Sequence, residues 1–397
     1  MRVGVNAFHL GPAIGGLRQY LESLLPALLE AEPSNDYLVF HSAGNAAEIE
    51  ALVPPGTRAR AVRLARAREE RGLADRLDLY FCPFGILDPR PLPVPSVVTL
   101  VDVQERYLPE LFAPDVHWNR ALHFEGSTRQ ADAVLTISEF SRASIARHHR
   151  VPADRIHVAH LCPDPRLLAA PPPPEGFARS LPADFVLYPA NHWRHKNHEL
   201  LLRAARLLRD ERGTLVPLVF TGFEQPNGFP LAAAVRELGL EGQTLLLGFV
   251  GVPELAHLYR SARALCFPSL FEGFGLPLVE AMALGCPVVA ADATSIPEVV
   301  GDAALLFDPR DVRACAEALR RVLEDGALGQ RLAEKGRERA RNFTPRRMAA
   351  AHLEAFAAAT RRFSFTAYLR RRFALDPWHR LRHYARHGLR PPAAPQE

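Results

Sequence analysis

Cysteine is scarce and unpatterned in this chain. The five thiols among 397 residues, Cys82, Cys162, Cys266, Cys286 and Cys315, are odd in number and form no Cys-x-x-Cys pair. That spacing argues against a disulfide framework and a structural zinc site, and the expectation is five buried thiols. No run of 18 apolar residues occurs, and residues 1–6 read as a strand without a signal peptide's apolar stretch. A cytoplasmic protein without a membrane-crossing helix is expected. Lysine is nearly missing: Lys196 and Lys335 are the only two among 48 basic residues. An ammonium is a compact point charge, so each marks a position worth examining. Lys335 falls on a stretch that reads as an exposed helix. The Gly-x-Gly-x-x-Gly fingerprint is also missing, which disfavours a hydride-transferring dinucleotide enzyme.

What is present is core material, 48% hydrophobic residues, enough for two domains of ordinary size. Both halves alternate short apolar runs with amphipathic stretches, the grammar of a doubly wound α/β fold. In the first half, residues 3–6, 37–40 and 94–101 read as strands, 11–16 as a loop and 17–31 as a helix. In the second, strands are expected at 185–188, 216–221, 244–247, 264–267, 288–290 and 304–306, with a long helix over 198–212. Pro163, Pro165 and the proline run at 171–174 fit neither a central strand nor a helix interior and mark the boundary. The expected division is a domain at 1–165, a linker at 166–184, a domain at 185–345, a last helix at 346–360 and a tail at 361–397.

One stretch organises the second half: Phe267-Pro268-Ser269-Leu270-Phe271-Glu272-Gly273-Phe274-Gly275-Leu276-Pro277-Leu278-Val279-Glu280-Ala281-Met282-Ala283. It reads as a strand, a glycine loop and a helix, with Pro277 at the first helical position and Gly285 closing the helix. Unpaired amides at the positive end of a helix dipole suit a phosphate or diphosphate. Glu272 and Glu280 cannot bind phosphate. A carboxylate beside a phosphate accepts hydrogen bonds from hydroxyls, and a ligand carrying both groups is a nucleotide sugar. Spacing alone leaves open an ordinary βα turn with two solvated glutamates.

The segment from Glu272 through Glu280 to Ala290 resembles the donor-site signature of glycosyltransferase family 4, as does Ser295-Ile296-Pro297-Glu298-Val299-Val300-Gly301-Asp302-Ala303-Ala304. These are retaining enzymes of the GT-B architecture, α/β proteins with two Rossmann-like doubly wound domains facing across a cleft. The resemblance covers about residues 1–359. It implies that Glu272 meets the transferred sugar, Glu280 the ribose hydroxyls, and the amides of Phe274, Gly275 and Leu276 the diphosphate. It makes 1–165 the acceptor-side domain, 185–345 the donor domain and 346–360 a helix crossing back.

Further site residues are implied by the same resemblance. The run Asn191-His192-Trp193-Arg194-His195-Lys196-Asn197 matches the family's Lys-Asn segment, which places Lys196 and Arg194 on the donor phosphates and Asn191 beside the donor. As single residues, both cations also read as solvated charges. Gly15-Gly16 corresponds to a loop facing the diphosphate, or is a plain tight turn. The strand ending Leu100-Val101-Asp102 carries Val101 where the family commonly has a histidine that reaches the sugar. Asp102 is either catalytic or a cap for the next turn of chain. Ser138 reads as an N-cap. The histidines at 117, 123, 148, 149, 157 and 160 show no ligand spacing, so no metal and no cofactor are expected.

Charge is uneven along the chain. Residues 361–397 hold nine arginines against Asp376 and Glu397, a formal +7, which leaves 4 − 7 = −3 for the remaining 360. Arginine interleaved with Phe363, Phe365, Tyr368, Phe373, Trp378 and Tyr384 fits an interfacial segment on an anionic membrane, at the inner face and through 361–390, or a disordered or docked extension. The acidic body argues against a nucleic-acid partner. The expected function is retaining, metal-independent hexosyl transfer, mannose first, from a nucleoside diphosphate sugar to a saccharide or lipid-linked acceptor of surface polysaccharide. The alternatives are a catalytically impaired donor-binding or scaffolding partner, motivated by Val101, and a nucleotide-sugar epimerase of the same fold. A phosphorylase would need a Schiff-base lysine that neither Lys196 nor Lys335 convincingly supplies.

Overall fold

The computed structural model describes residues 1–8, 10, 15–53, 55–64 and 76–388, in two compact units, Met1–Leu161 with Pro345–Glu397, and Cys162–Thr344. The first unit holds strands β1 Arg2–Asn6, β2 Asp36–His41, β3 Ala59–Arg63, β4 Leu79–Cys82, β5 Ser96–Thr99, β6 Ala133–Thr136 and β7 Ile156–Val158. They form one parallel sheet in the order β3-β2-β1-β4-β5-β6-β7. Val3 lies opposite Tyr37 on one side and Leu79 on the other. Strands β4, β5 and β6 are buried along their whole length, as a parallel sheet covered on both faces requires.

Helices Gly15–Ala31 and Pro345–Arg362 pack together in this unit. Buried Tyr20 joins them, its hydroxyl 2.5 Å from His352 Nε2 and 3.1 Å from Thr99 Oγ1. The first helix starts at Gly15, not at residue 17, so the two glycines form its opening turn; residues 11–14 of the expected loop lie outside the described residues. Glycine is tolerated there because first-turn amides lack intrahelical acceptors in any case. Strand β5 stops at Thr99 rather than 101. Asp102 Oδ1 accepts the Gln104 N–H at 3.0 Å, an Asx turn that bends the chain into the short helical turn Gln104–Arg106.

The second unit holds β8 Val186–Pro189, β9 Leu218–Thr221, β10 Thr244–Leu246, β11 Ala264–Phe267, β12 Val288–Ala291 and β13 Ala304–Phe307, all parallel, in the order β10-β9-β8-β11-β12-β13. Winding runs outward from β8 to one edge and then crosses to β11. The loops after β8 and β11 therefore part at the switch point, where open α/β sheets bind ligands. Residues 162–184 belong to this unit. Helix Pro165–Leu168, capped by Asp164, buries Leu167 and packs on helices Val252–Ser261 and Leu276–Leu284. All five cysteines are buried, and none of them forms a disulfide.

Residues 365–387 are helical and docked on the first unit, as helix Phe365–Arg370, a wide π-turn Arg371–Leu375 and helix Asp376–His387. Within residues 365–387 the extension is docked rather than disordered.

Candidate active site

The loop after β8 is built by its neighbours. Ala190 N–H donates to the Thr221 carbonyl at 3.1 Å, His192 N–H to that of Phe223 at 3.0 Å, and Phe223 N–H to Asn191 Oδ1 at 2.9 Å. The two loops touch so closely that a Cβ on Gly222, whose φ is +120°, would lie 2.5 Å from the Ala190 carbonyl oxygen. Farther along, Tyr188 donates its hydroxyl to the Lys196 carbonyl at 2.6 Å. Burial pushes this phenol's pKa well above its ordinary value, so it stays a donor. Asn197 adopts a left-handed φ of 58° and donates Nδ2 to the carbonyls of Pro268 at 3.0 Å and Pro309 at 2.9 Å. One asparagine thus ties the loops after β8, β11 and β13, in a conformation that asparagine tolerates better than most residues.

That stitching sets Lys196 against Glu272. Nζ lies 2.7 Å from Oε1, with side-chain exposures of 18% and 10%. The glutamate's backbone is fixed on both sides: its N–H donates to Thr294 Oγ1 at 3.0 Å, and Ser295 Oγ donates to its carbonyl at 2.9 Å. Lys196 Nζ also stands 5.8 Å from the Phe267 ring centroid. Burial holds the neighbouring His195 and His198 at pKa values of about 3, so both are neutral at physiological pH. The charge of the cluster therefore comes from Lys196 and Arg194.

After Glu272 the chain turns into helix Leu276–Leu284 through Gly275, at φ +95°, where a Cβ would come within 2.8 Å of Leu278 Cδ1. Pro277 is the second helical residue, one later than the sequence pattern predicts. The N-cap residue, Gly275, has no side chain to cap this helix. Leu278 N–H folds back to the Gly275 carbonyl and Pro277 has no N–H, so the amides of Gly275 and Leu276 form the polar head of the helix. Phe274 is buried with its ring edge-on to Phe343 at 5.6 Å. One turn on, Glu280 is buried and accepts the Tyr259 hydroxyl at Oε2, 2.9 Å away. Burial and then the Glu280 charge hold that phenol protonated.

Lys196 and Glu272 are in contact; Asn191 lies on the loop after β8, and Phe274, Gly275, Leu276 and Glu280 follow β11, the strand beside it. Arg194 is exposed and donates Nε to the Asn227 carbonyl at 3.3 Å. Gly15, Gly16 and Asp102 lie in the first unit, where Asp102 Oδ1 accepts the Gln104 N–H. Sequence reasoning gave no site role to Tyr259, Thr294 and Ser295, the side chains that hold the two glutamates. It also passed over Phe223 and Phe249, exposed at 54% and 71% and stacked at 5.2 Å with 12° between their planes, on the loops after β9 and β10.

Residues 177–339 match the family model for glycosyl transferases group 1. Over 260 residues the chain is 33% identical to O-antigen chain mannosyltransferase B of Escherichia coli, covering 63% of this chain and 66% of that protein. Over 220 residues it is 36% identical to the MMP alpha-(1->4)-mannosyltransferase of Mycolicibacterium hassiacum, covering 53% and 50%. The matches thus span less than two thirds of these relatives' length. Among solved structures, Anabaena Alr3699/HepE in complex with UDP and glucose superposes with a TM-score of 0.69 at 19% identity, covering 90% of this chain and 99% of that one. Sucrose-phosphate synthase from Thermosynechococcus elongatus gives 0.69 at 20%, covering 90% and 98%. These likenesses establish the fold: two Rossmann-like parallel-sheet units of the GT-B class. Residues 177–339, which hold the Glu272-to-Glu280 segment, are thus similar to the group 1 glycosyl transferases.

Proposed function

We propose that this protein is a retaining glycosyltransferase. It moves a hexosyl group, mannosyl first among candidates, from a nucleoside diphosphate sugar to a hydroxyl of a saccharide or lipid-linked acceptor in surface polysaccharide synthesis. The observation that carries the reading is the Lys196–Glu272 pair at the switch point of the second sheet, beside an uncapped helix N-terminus. The two relatives described above are mannosyltransferases by name, which ranks the sugar.

In this proposal the diphosphate lies on the Gly275 and Leu276 amides, and Lys196 uses two of its three N–H donors, one on Glu272 and one on a phosphate oxygen. The bond from C1 to the phosphate oxygen breaks with both electrons leaving on that oxygen. Lys196 neutralises the departing charge, with Arg194 as the second cation, so no metal is required. The acceptor oxygen bonds C1 on the same face and passes its proton to the departing phosphate oxygen, which retains the anomeric configuration. Glu272 accepts a hydrogen bond from a sugar hydroxyl. Tyr259 orients Glu280 to accept from the ribose, and the Phe223–Phe249 stack offers a π-face to the base.

Incubation with GDP-mannose and a saccharide acceptor, read by NMR of the product's anomeric proton, tests the reaction. Retained configuration and turnover in EDTA are expected; an inverted product or an absolute metal requirement refutes the scheme. Val101 favours one second reading, a donor-binding partner without turnover, since valine cannot hydrogen-bond a sugar hydroxyl. Donor binding without transfer to any acceptor would select it.

A further inference from the structure

The docked C-terminal helices have a second face that the donor site does not use. Their inner face is fixed by buried polar contacts. Arg90, 6% exposed, donates Nε to Asp376 Oδ1 at 2.9 Å and Nη2 to the Leu122 carbonyl at 2.9 Å, and Gln130 Nε2 reaches the same Asp376 oxygen at 2.8 Å. Arg371 pairs with buried Asp132, and Trp118 meets the His383 ring edge-on at 4.6 Å. The opposite face is therefore held in one orientation, and it is apolar where a free surface is normally polar.

Phe365, Phe373, Trp378 and Leu381 are exposed at 61, 71, 61 and 59%, with Leu369 at 37%. Phe365, Leu369, Phe373 and Leu381 fall on a four-residue spacing that Trp378 does not share, and that spacing drifts around an α-helix of 3.6 residues per turn. The π-turn Arg371–Leu375 rotates less per residue and returns part of that drift. Exposed Arg361, Arg370, Arg372, Arg382 and Arg386 stand on the same segment. Its one carboxylate between 361 and 388, Asp376, is turned inward to Arg90. Beside Trp378, a groove of about 180 Å³ is lined by Arg129, Arg382 and Arg386, with Glu125.

We infer that the face formed by Phe365, Phe373, Trp378 and Leu381 with its flanking arginines docks on an anionic lipid bilayer, the aromatics lying in the interface and the arginines on lipid phosphates. Charge selects this occupant. A second copy would set two arginine-rich faces against one another, with Glu125 the one carboxylate lining the groove beside Trp378. No helix among the described residues is long and apolar enough to cross a membrane, so the segment lies on the surface. This inference is independent of the donor-site reading.

The test is flotation of the full chain with phosphatidylcholine vesicles and with vesicles carrying 30% phosphatidylglycerol, alongside Phe373→Ser/Trp378→Ser and Arg382→Gln/Arg386→Gln. Both pairs are exposed, so near-native melting curves are expected and serve as the folding control. Binding should require the anionic lipid. It should fall about fivefold for each arginine removed, the tenfold-per-1.4 kcal/mol equivalent of one surface charge, and at least tenfold for the aromatic pair. Wild-type Trp378 should be quenched by brominated lipid. Absence of flotation at low salt, or flotation unchanged in both variants, overturns the inference. So does loss of a stable dimer in the aromatic variant without any vesicle binding.

Discussion

Replacing Lys196 by methionine keeps the stem beside Phe267 and strands the Glu272 carboxylate. The pair is neither a surface ion pair, worth about 0–1 kcal/mol, nor a fully buried one, whose disruption costs about 3–5 kcal/mol. Exposures of 18% and 10% put it between those limits, at about 2 kcal/mol. The second unit, Cys162–Thr344, spans 344 − 162 + 1 = 183 residues. At about 2–4 °C per kcal/mol for that size, its transition should fall by about 4–8 °C. Glu272→Gln removes the stranded charge, so the double variant Lys196→Met/Glu272→Gln should recover at least about 1 kcal/mol relative to the sum of the single changes. Urea denaturation of the four proteins reads the cycle directly. Additivity within about 0.3 kcal/mol would refute the claim that these two side chains are held against one another.

The neighbouring contacts carry further consequences. Tyr259→Phe removes the donor that orients Glu280, and should weaken nucleotide affinity about tenfold, the equivalent of about 1.4 kcal/mol, while leaving kcat nearly unchanged; equilibrium dialysis and steady-state rates separate the two. Asn197→Gly keeps the left-handed backbone but loses two inter-loop bonds, so it should destabilise the second unit by about 1–3 kcal/mol and Asn197→Ala by more, as urea midpoints will tell. Burial lowers His352 from 6.5 to about 4, so the unfolded chain binds the extra proton between those values. Its contribution is complete above pH 6.5 and lost as pH falls toward 4; from pH 7 to 5 the wild type should lose about 2 kcal/mol more than His352→Gln.

The strand and helix alternation was legible because parallel strands covered on both faces read as apolar runs, and β8, β11 and β12 fall where such runs stand. Glu272, Glu280 and Lys196 were legible from their spacing and from lysine's rarity. Order within the sheets was not, since alternation alone does not say that β8 pairs with both β9 and β11. Neither were Tyr259 and Thr294, which reach their glutamates over 21 and 22 residues and carry no local signature. Strand β5 was read two residues long because Leu100 and Val101 continue its apolar run, while the side-chain bond of Asp102 ends it. The tail's docking did leave a mark: a lone Asp376 in a run of arginines is the residue that meets buried Arg90.

The most direct test of the central claim is thermal stabilisation of the full chain by a panel of nucleoside diphosphates and their sugars, with Glu280→Ala and Lys196→Ala each compared with its own ligand-free melting curve. At 100 times its dissociation constant, the cognate nucleotide should add about 2.7 kcal/mol to the wild type and far less to either variant. A panel that leaves the wild type unmoved, or a shift that survives in both variants, would contradict a donor site built on Lys196, Glu272 and the helix beginning at Leu276.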